Sequence, residues 1–164
     1  MQATRDDGPL PDDRVDYELA CDDVLAGARR DLRIFAPDLD QQLLNRERVS
    51  ELLVRLARHN PSARVRILIA DAGQAVAEGH RLIYLARRLP SFVSIRVLPV
   101  EMKDRQECWL LADGQTLLWR PDYHQLRQGI LHRHDPTRSG ALQRLFDEHW
   151  DQSRSDPALR QLII

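Results

Sequence analysis

The chain has 164 residues, 43% of them apolar, and sets 24 basic side chains against 25 acidic ones for a net charge of -1. That size suffices for one domain with a real core, burying ~70% of the surface its unfolded chain exposes. The charge balance gives no global field to draw in nucleic acid or an anionic membrane, no apolar run approaches the ~20 residues of a membrane span, and two cysteines do not make a disulfide framework.

Residues 1–14 gather Asp6, Asp7, Asp12 and Asp13 with Gly8, Pro9 and Pro11. They read as a flexible leader, because so polar a mix buries too little to order itself. A single domain is expected over residues 15–164. From Asp16, an N-cap candidate, Tyr17, Ala20, Cys21, Val24, Leu25 and Ala28 follow one helical face. Leu32-Arg33-Ile34-Phe35-Ala36 alternates until Pro37 stops it, which marks a first strand. Asn45 is the expected cap of a second helix with Val49, Leu52, Leu53, Leu56 and Ala57 on its apolar stripe, ended by Asn60-Pro61. Val65 to Ala70 is a second strand, rich in β-branched residues.

A third helix is expected from about Gln74 to Leu89, and Phe92 to Leu98 forms a third strand closed by Pro99. This alternation of strands and helices predicts an α/β fold, with right-handed parallel crossovers and helices on both faces of the sheet. Two apolar runs, Cys108 to Ala112 and Thr116 to Trp119, then form a hairpin joined at Asp113-Gly114, a pair that tolerates the positive φ of tight turns. Gln128 to His132 adds a short strand. A last helix from about Ser139 to Ser153 carries Leu142, Leu145, Phe146 and Trp150.

The spacing Gln106-x-Cys108-x-x-x-x-Asp113 matches the framework of the H-x-K-x-x-x-x-D motif of phospholipase D-like phosphodiesterases, with only the Asp kept. Together with the order of elements, it makes the chain resemble one half-unit of that superfamily, and most closely the short proteobacterial modules that occur alone or attached to acetyltransferase domains. The resemblance implies an α/β/α sandwich with a mixed, mostly parallel sheet. It also implies a chemistry in which a His attacks phosphorus, a second His protonates the leaving group and Lys neutralises phosphate oxygens. Gln106 is neither nucleophile nor proton carrier, and Cys108 carries no fixed positive charge. No shift of register repairs the motif, because Lys103 is the only lysine. The small-residue and amide signature that usually follows is replaced by Trp119-Arg120-Pro121. Asp113 is explained equally well as the opening residue of a turn.

The expectation is therefore a non-catalytic binding or assembly module without cofactor or metal, with Gln106, Cys108 and Asp113 as vestigial site residues. The resemblance implies a homodimer, since two half-units of the family face each other across one cleft. Reduced buried thiols point to the cytoplasm. The alternative is a residual phosphodiesterase or nuclease using His132 and His134, which alternate on an extended segment beside Asp135. Solvated turn histidines explain the same residues, given Arg133, Pro136, Arg138 and Gly140 around them. Asp38, Asp40, Asp71 and Glu101 fall at strand ends, where ligands of open α/β sheets collect. An acidic mouth disfavours nucleic acid, and helix entry accounts for the same aspartates.

Overall fold

The computed structural model describes residues 7–160. In chain order the elements are β1 (Gly8–Pro9), α1 (Arg14–Gly27), β2 (Asp31–Phe35), α2 (Glu47–His59), β3 (Arg64–Ile69), α3 (Ala72–Ala77), α4 (Arg81–Arg88) and β4 (Val93–Val97). A 3-10 turn at Val100–Met102 leads to β5 (Cys108–Ala112), β6 (Thr116–Arg120), β7 (Ile130–His132), α5 (Pro136–Gln152) and α6 (Pro157–Arg160). All seven strands join one sheet in the order β1-β7-β6-β5-β2-β3-β4.

The sheet is mixed, but its balance differs from the mostly parallel arrangement expected. Only β2–β3 and β3–β4 pair parallel, while β2–β5, β5–β6, β6–β7 and β1–β7 are antiparallel. Crossover helices build the parallel half, as the alternating pattern predicts. The hairpin then docks on the free edge of β2 in reverse, and everything beyond it continues antiparallel.

Strand alternation sorts the sheet into two faces. Leu32, Ile34, Val65, Ile67 and Leu110 join one large core with the buried faces of α1, α2 and α4. Phe35, Leu68, Trp109, Leu111 and Leu117 point the other way, into a second, smaller core closed by Phe146 of α5. Helices thus cover both faces. Among the described residues, no helix is long and apolar enough to cross a membrane.

Local chemistry departs from expectation at four places. The segment read as a leader is held from Asp7 onward: Gly8–Pro9 pairs with β7, Leu10 is buried and its N–H donates to the Gly129 carbonyl, and α1 starts at Arg14. Residues 1–6 lie outside the described residues. Asp13 rather than Asp16 caps α1, accepting from Val15 N–H. The expected third helix is two helices, because Gly79 takes φ +65° and His80 starts a new N-terminus, its Nδ1 accepting from Leu82 N–H. Asn45 serves that second helix and not α2: its Oδ1 accepts from Arg81 N–H.

Candidate functional site: a closed cleft at the end of β5

Cys108 opens β5 and Arg120 ends β6, paired directly across the hairpin. Both project to the α1 side, below the loop that leaves β2 at Ala36. That loop turns sharply, with Leu39 and Asp40 both at positive φ (61° and 51°), and so returns Asp40 over the sheet. The Asp40 carboxylate then meets the Arg120 guanidinium in a two-pronged ion pair, Nη1 to Oδ2 at 3.1 Å and Nη2 to Oδ1 at 2.8 Å. Both side chains are sealed from water, at 4% and 2% exposure.

The pair leaves few polar atoms unsatisfied. Arg120 also donates to the carbonyls of Gln125 and Tyr123, and Asp40 accepts from Leu43 N–H. Burial first, and the Asp40 carboxylate second, push the Cys108 thiol well above its ordinary range, so it stays a neutral, inert sulfhydryl. Asp38, beside Asp40, is raised to about 6, chiefly by burial and then by the neighbouring carboxylate. Under the pair, between Tyr17, Cys108 and Leu118, remains a void of about 10 Å³. That is room for at most one water, and none for a phosphodiester.

The three motif positions do not converge. Gln106 is exposed at the rim of this closed end, its carbonyl accepting from Tyr123 N–H, and Cys108 lies beneath. Asp113 lies at the other end of β5, ~16 Å from Cys108 at strand rise. There its carboxylate accepts three backbone N–H groups: Arg29 at 2.9 Å, Arg30 at 2.7 Å and Asp31 at 3.0 Å. Asp113 is a clasp between the hairpin turn and the start of β2. Its turn is as expected, with Asp113 and Gly114 both at positive φ.

The remaining candidates separate as well. His132 is half-buried in β7 and His134 is exposed, and no group of three or more metal-binding side chains occurs among the described residues. Asp135 caps α5 by accepting from Arg138 N–H, and Asp71 caps α3 by accepting from Gly73 and Gln74. Of the acidic mouth, then, Asp71 is a helix cap, Asp40 is neutralised by Arg120, Asp38 accepts from Asp40 N–H, and Glu101 is exposed in the 3-10 turn. Trp109 is buried in the smaller core. Sequence reasoning passed over Arg120 as a partner, although its place directly opposite Cys108 was available from the hairpin register.

A mixed sheet with this strand order, its helices on both faces and the motif hairpin at its centre defines the phospholipase D-like fold. Similar solved structures include NucT from Helicobacter pylori, with a TM-score of 0.63 and 11% identity over 91% of this chain and 96% of that one. Nuc, a phospholipase D family member from Salmonella typhimurium, has a TM-score of 0.60 and 14% identity over 85% and 89%. The archaeal chromatin protein TrmBL2 has a TM-score of 0.64 and 13% identity over 88% of this chain, which spans about half (51%) of that one. No curated protein sequence matches. Residues 14–162 match the family described as "Domain of unknown function (DUF7931)", and the chain belongs to that family.

Proposed function

We propose that this chain is a non-catalytic phospholipase D-like module that binds or assembles with other molecules and has lost phosphoryl transfer. The observation that carries this reading is the Arg120–Asp40 ion pair closed over Cys108, which leaves no room there for a substrate phosphate. A buried neutral thiol and an exposed amide supply neither attack nor charge neutralisation. The test is hydrolysis of bis(p-nitrophenyl) phosphate, with and without divalent metal, by the parent chain and by His132→Ala and His134→Ala variants. The expected result is no turnover above buffer in any of them. Turnover that disappears in the histidine variants overturns the reading in favour of a residual phosphodiesterase.

In this reading two copies pair by two-fold symmetry across the rim that carries Gln106, as the half-unit fold implies, and the protein works in the cytoplasm with both buried cysteines reduced. Light scattering that gives the monomer mass at high concentration removes the dimer. One structural neighbour is described as an archaeal chromatin protein with a novel mode of DNA binding. For this chain the net charge of -1, which gives no overall attraction to phosphates, favours a partner other than nucleic acid. A steep fall of duplex affinity with salt would reverse that preference.

A further inference from the structure

The opposite end of the sheet carries a different kind of surface. On the α5 face, the apolar layer stops short of the N-terminal ends of β3 and β4. There the same-face positions become Arg64, Arg66, Ser94 and Arg96. With Arg30, Trp150 and one carboxylate, Asp31, they line a groove of about 710 Å³. Alternate positions on one strand project to the same side ~7 Å apart, so guanidinium groups from neighbouring strands converge on one concavity.

The charges of this groove are only partly compensated. Asp147 pairs with Arg66 at 3.3 Å and with the buried Arg33 at 3.0 Å, and Asp31 pairs with Arg33. Arg30, Arg64 and Arg96 have no carboxylate within ion-pair distance among the described residues; Arg64 donates only to the carbonyls of Pro61 and Ala63, and Arg96 to that of Trp150. Two of the four guanidiniums are also held in place. Arg66 and Arg96 lie over the Trp150 ring at 5.5 and 4.7 Å from its centroid, and Trp150 stacks in turn on Phe146. Rigid, planar donors around a concave surface with a net excess of positive charge are what multivalent oxyanion recognition needs, because less side-chain order is lost on binding and the field is focused in the groove.

We infer that this groove binds a compact ligand carrying two or more phosphate groups, of the size of a nucleoside triphosphate. Its volume and the convergence of donors from two strands and the loop before β2 suit a short polyphosphate better than an extended acidic peptide. The site is independent of the closed cleft, which lies at the opposite end of the sheet on its α1 face.

The test is calorimetric titration of the full chain with inorganic tripolyphosphate and, separately, with ATP, compared with Arg30→Glu, Arg64→Glu and the distant Arg48→Glu. Arg30, Arg64 and Arg48 are exposed, so these changes leave the core intact, which thermal unfolding verifies. The expected result is saturable binding weakened at least about tenfold by Arg30→Glu or Arg64→Glu and unchanged by Arg48→Glu. Tripolyphosphate and ATP of equal affinity assign recognition to the phosphates alone; tighter ATP binding adds a base contact. Equal affinities in all variants, no binding of either probe at millimolar concentration, or binding of oligo-dT without tripolyphosphate would overturn the inference.

Discussion

Tyr17 and Gly129 lock the first helix to the edge of the sheet: the Tyr17 hydroxyl accepts the Gly129 N–H at 2.7 Å, and its ring lies against the glycine so closely that a Cβ there would sit 2.5 Å from Cε1. Tyr17 is fully buried, so its ring has nowhere to retreat. Gly129→Ala should therefore destabilise the protein by about 1–3 kcal/mol through overpacking. Tyr17→Phe removes only the acceptor and leaves a buried N–H unpaired, a loss of about 1–3 kcal/mol. Urea unfolding of both variants checks this; an alanine variant as stable as the parent would show that the contact relaxes freely.

The Asp113 clasp predicts a stability effect with no catalytic counterpart. Three backbone donors converge on one carboxylate, and hydrogen bonds to a charged group contribute about 1.5–3 kcal/mol each when isolated, less when they share one acceptor. Asp113→Ala should lower stability by about 2 kcal/mol or more, and Asp113→Asn by less, since one oxygen remains to accept. If both variants unfold at the parent's midpoint, the clasp does not hold the hairpin.

Much of this arrangement was legible in the residues. The apolar stripe of α1, the strands ended by Pro37 and Pro99, and the Asp113-Gly114 turn rest on local rules, and each stands where those rules put it. What escaped was non-local. Asp40 and Arg120 are 80 residues apart, and only the double positive-φ turn at Leu39 and Asp40 brings them together. Asp tolerates that backbone but Leu rarely adopts it, so a Leu-Asp pair gave no turn signal. Asp16 gave way to Asp13, and Asn45 came to cap a helix 36 residues away, because several polar residues compete for each helix end and tertiary placement chooses among them.

The buried ion pair should fail asymmetrically. Removing one partner leaves the other charge buried and alone, so Arg120→Met or Asp40→Leu should each cost about 3–5 kcal/mol, while the double variant should recover a large part of that loss. A double-mutant cycle by chemical denaturation measures the coupling; additive losses would mean that water enters and screens the site. For the same reason, Gln106→His with Cys108→Lys, which restores the letters of the motif, should yield a less stable and still inactive protein. The new ammonium would sit in the closed space beside the Arg120 guanidinium.

Two neighbours of Asp40 titrate in opposite senses. His80, fully buried at the start of α4, is lowered from 6.5 to about 4, chiefly by burial, so its unfolded form takes up a proton that the folded form refuses. Its contribution is present above pH ~6.5 and is lost as pH falls toward 4, by roughly 3 kcal/mol. Asp38, raised to about 6 from 3.8, behaves inversely: the folded state holds the extra proton, so its contribution is greatest below pH ~4 and declines as pH rises through 6, by an amount that solvent screening keeps to about 1 kcal/mol. In the parent the two slopes oppose each other between pH 4 and 6, with His80 the steeper. His80→Asn keeps a side-chain oxygen to cap Leu82 and removes the titration. Its stability should then fall gently from pH 4 to 6, where the parent's rises. Unfolding midpoints across that interval decide the matter, and a parent-like rise in the variant would mean that His80 is not the group resisting protonation.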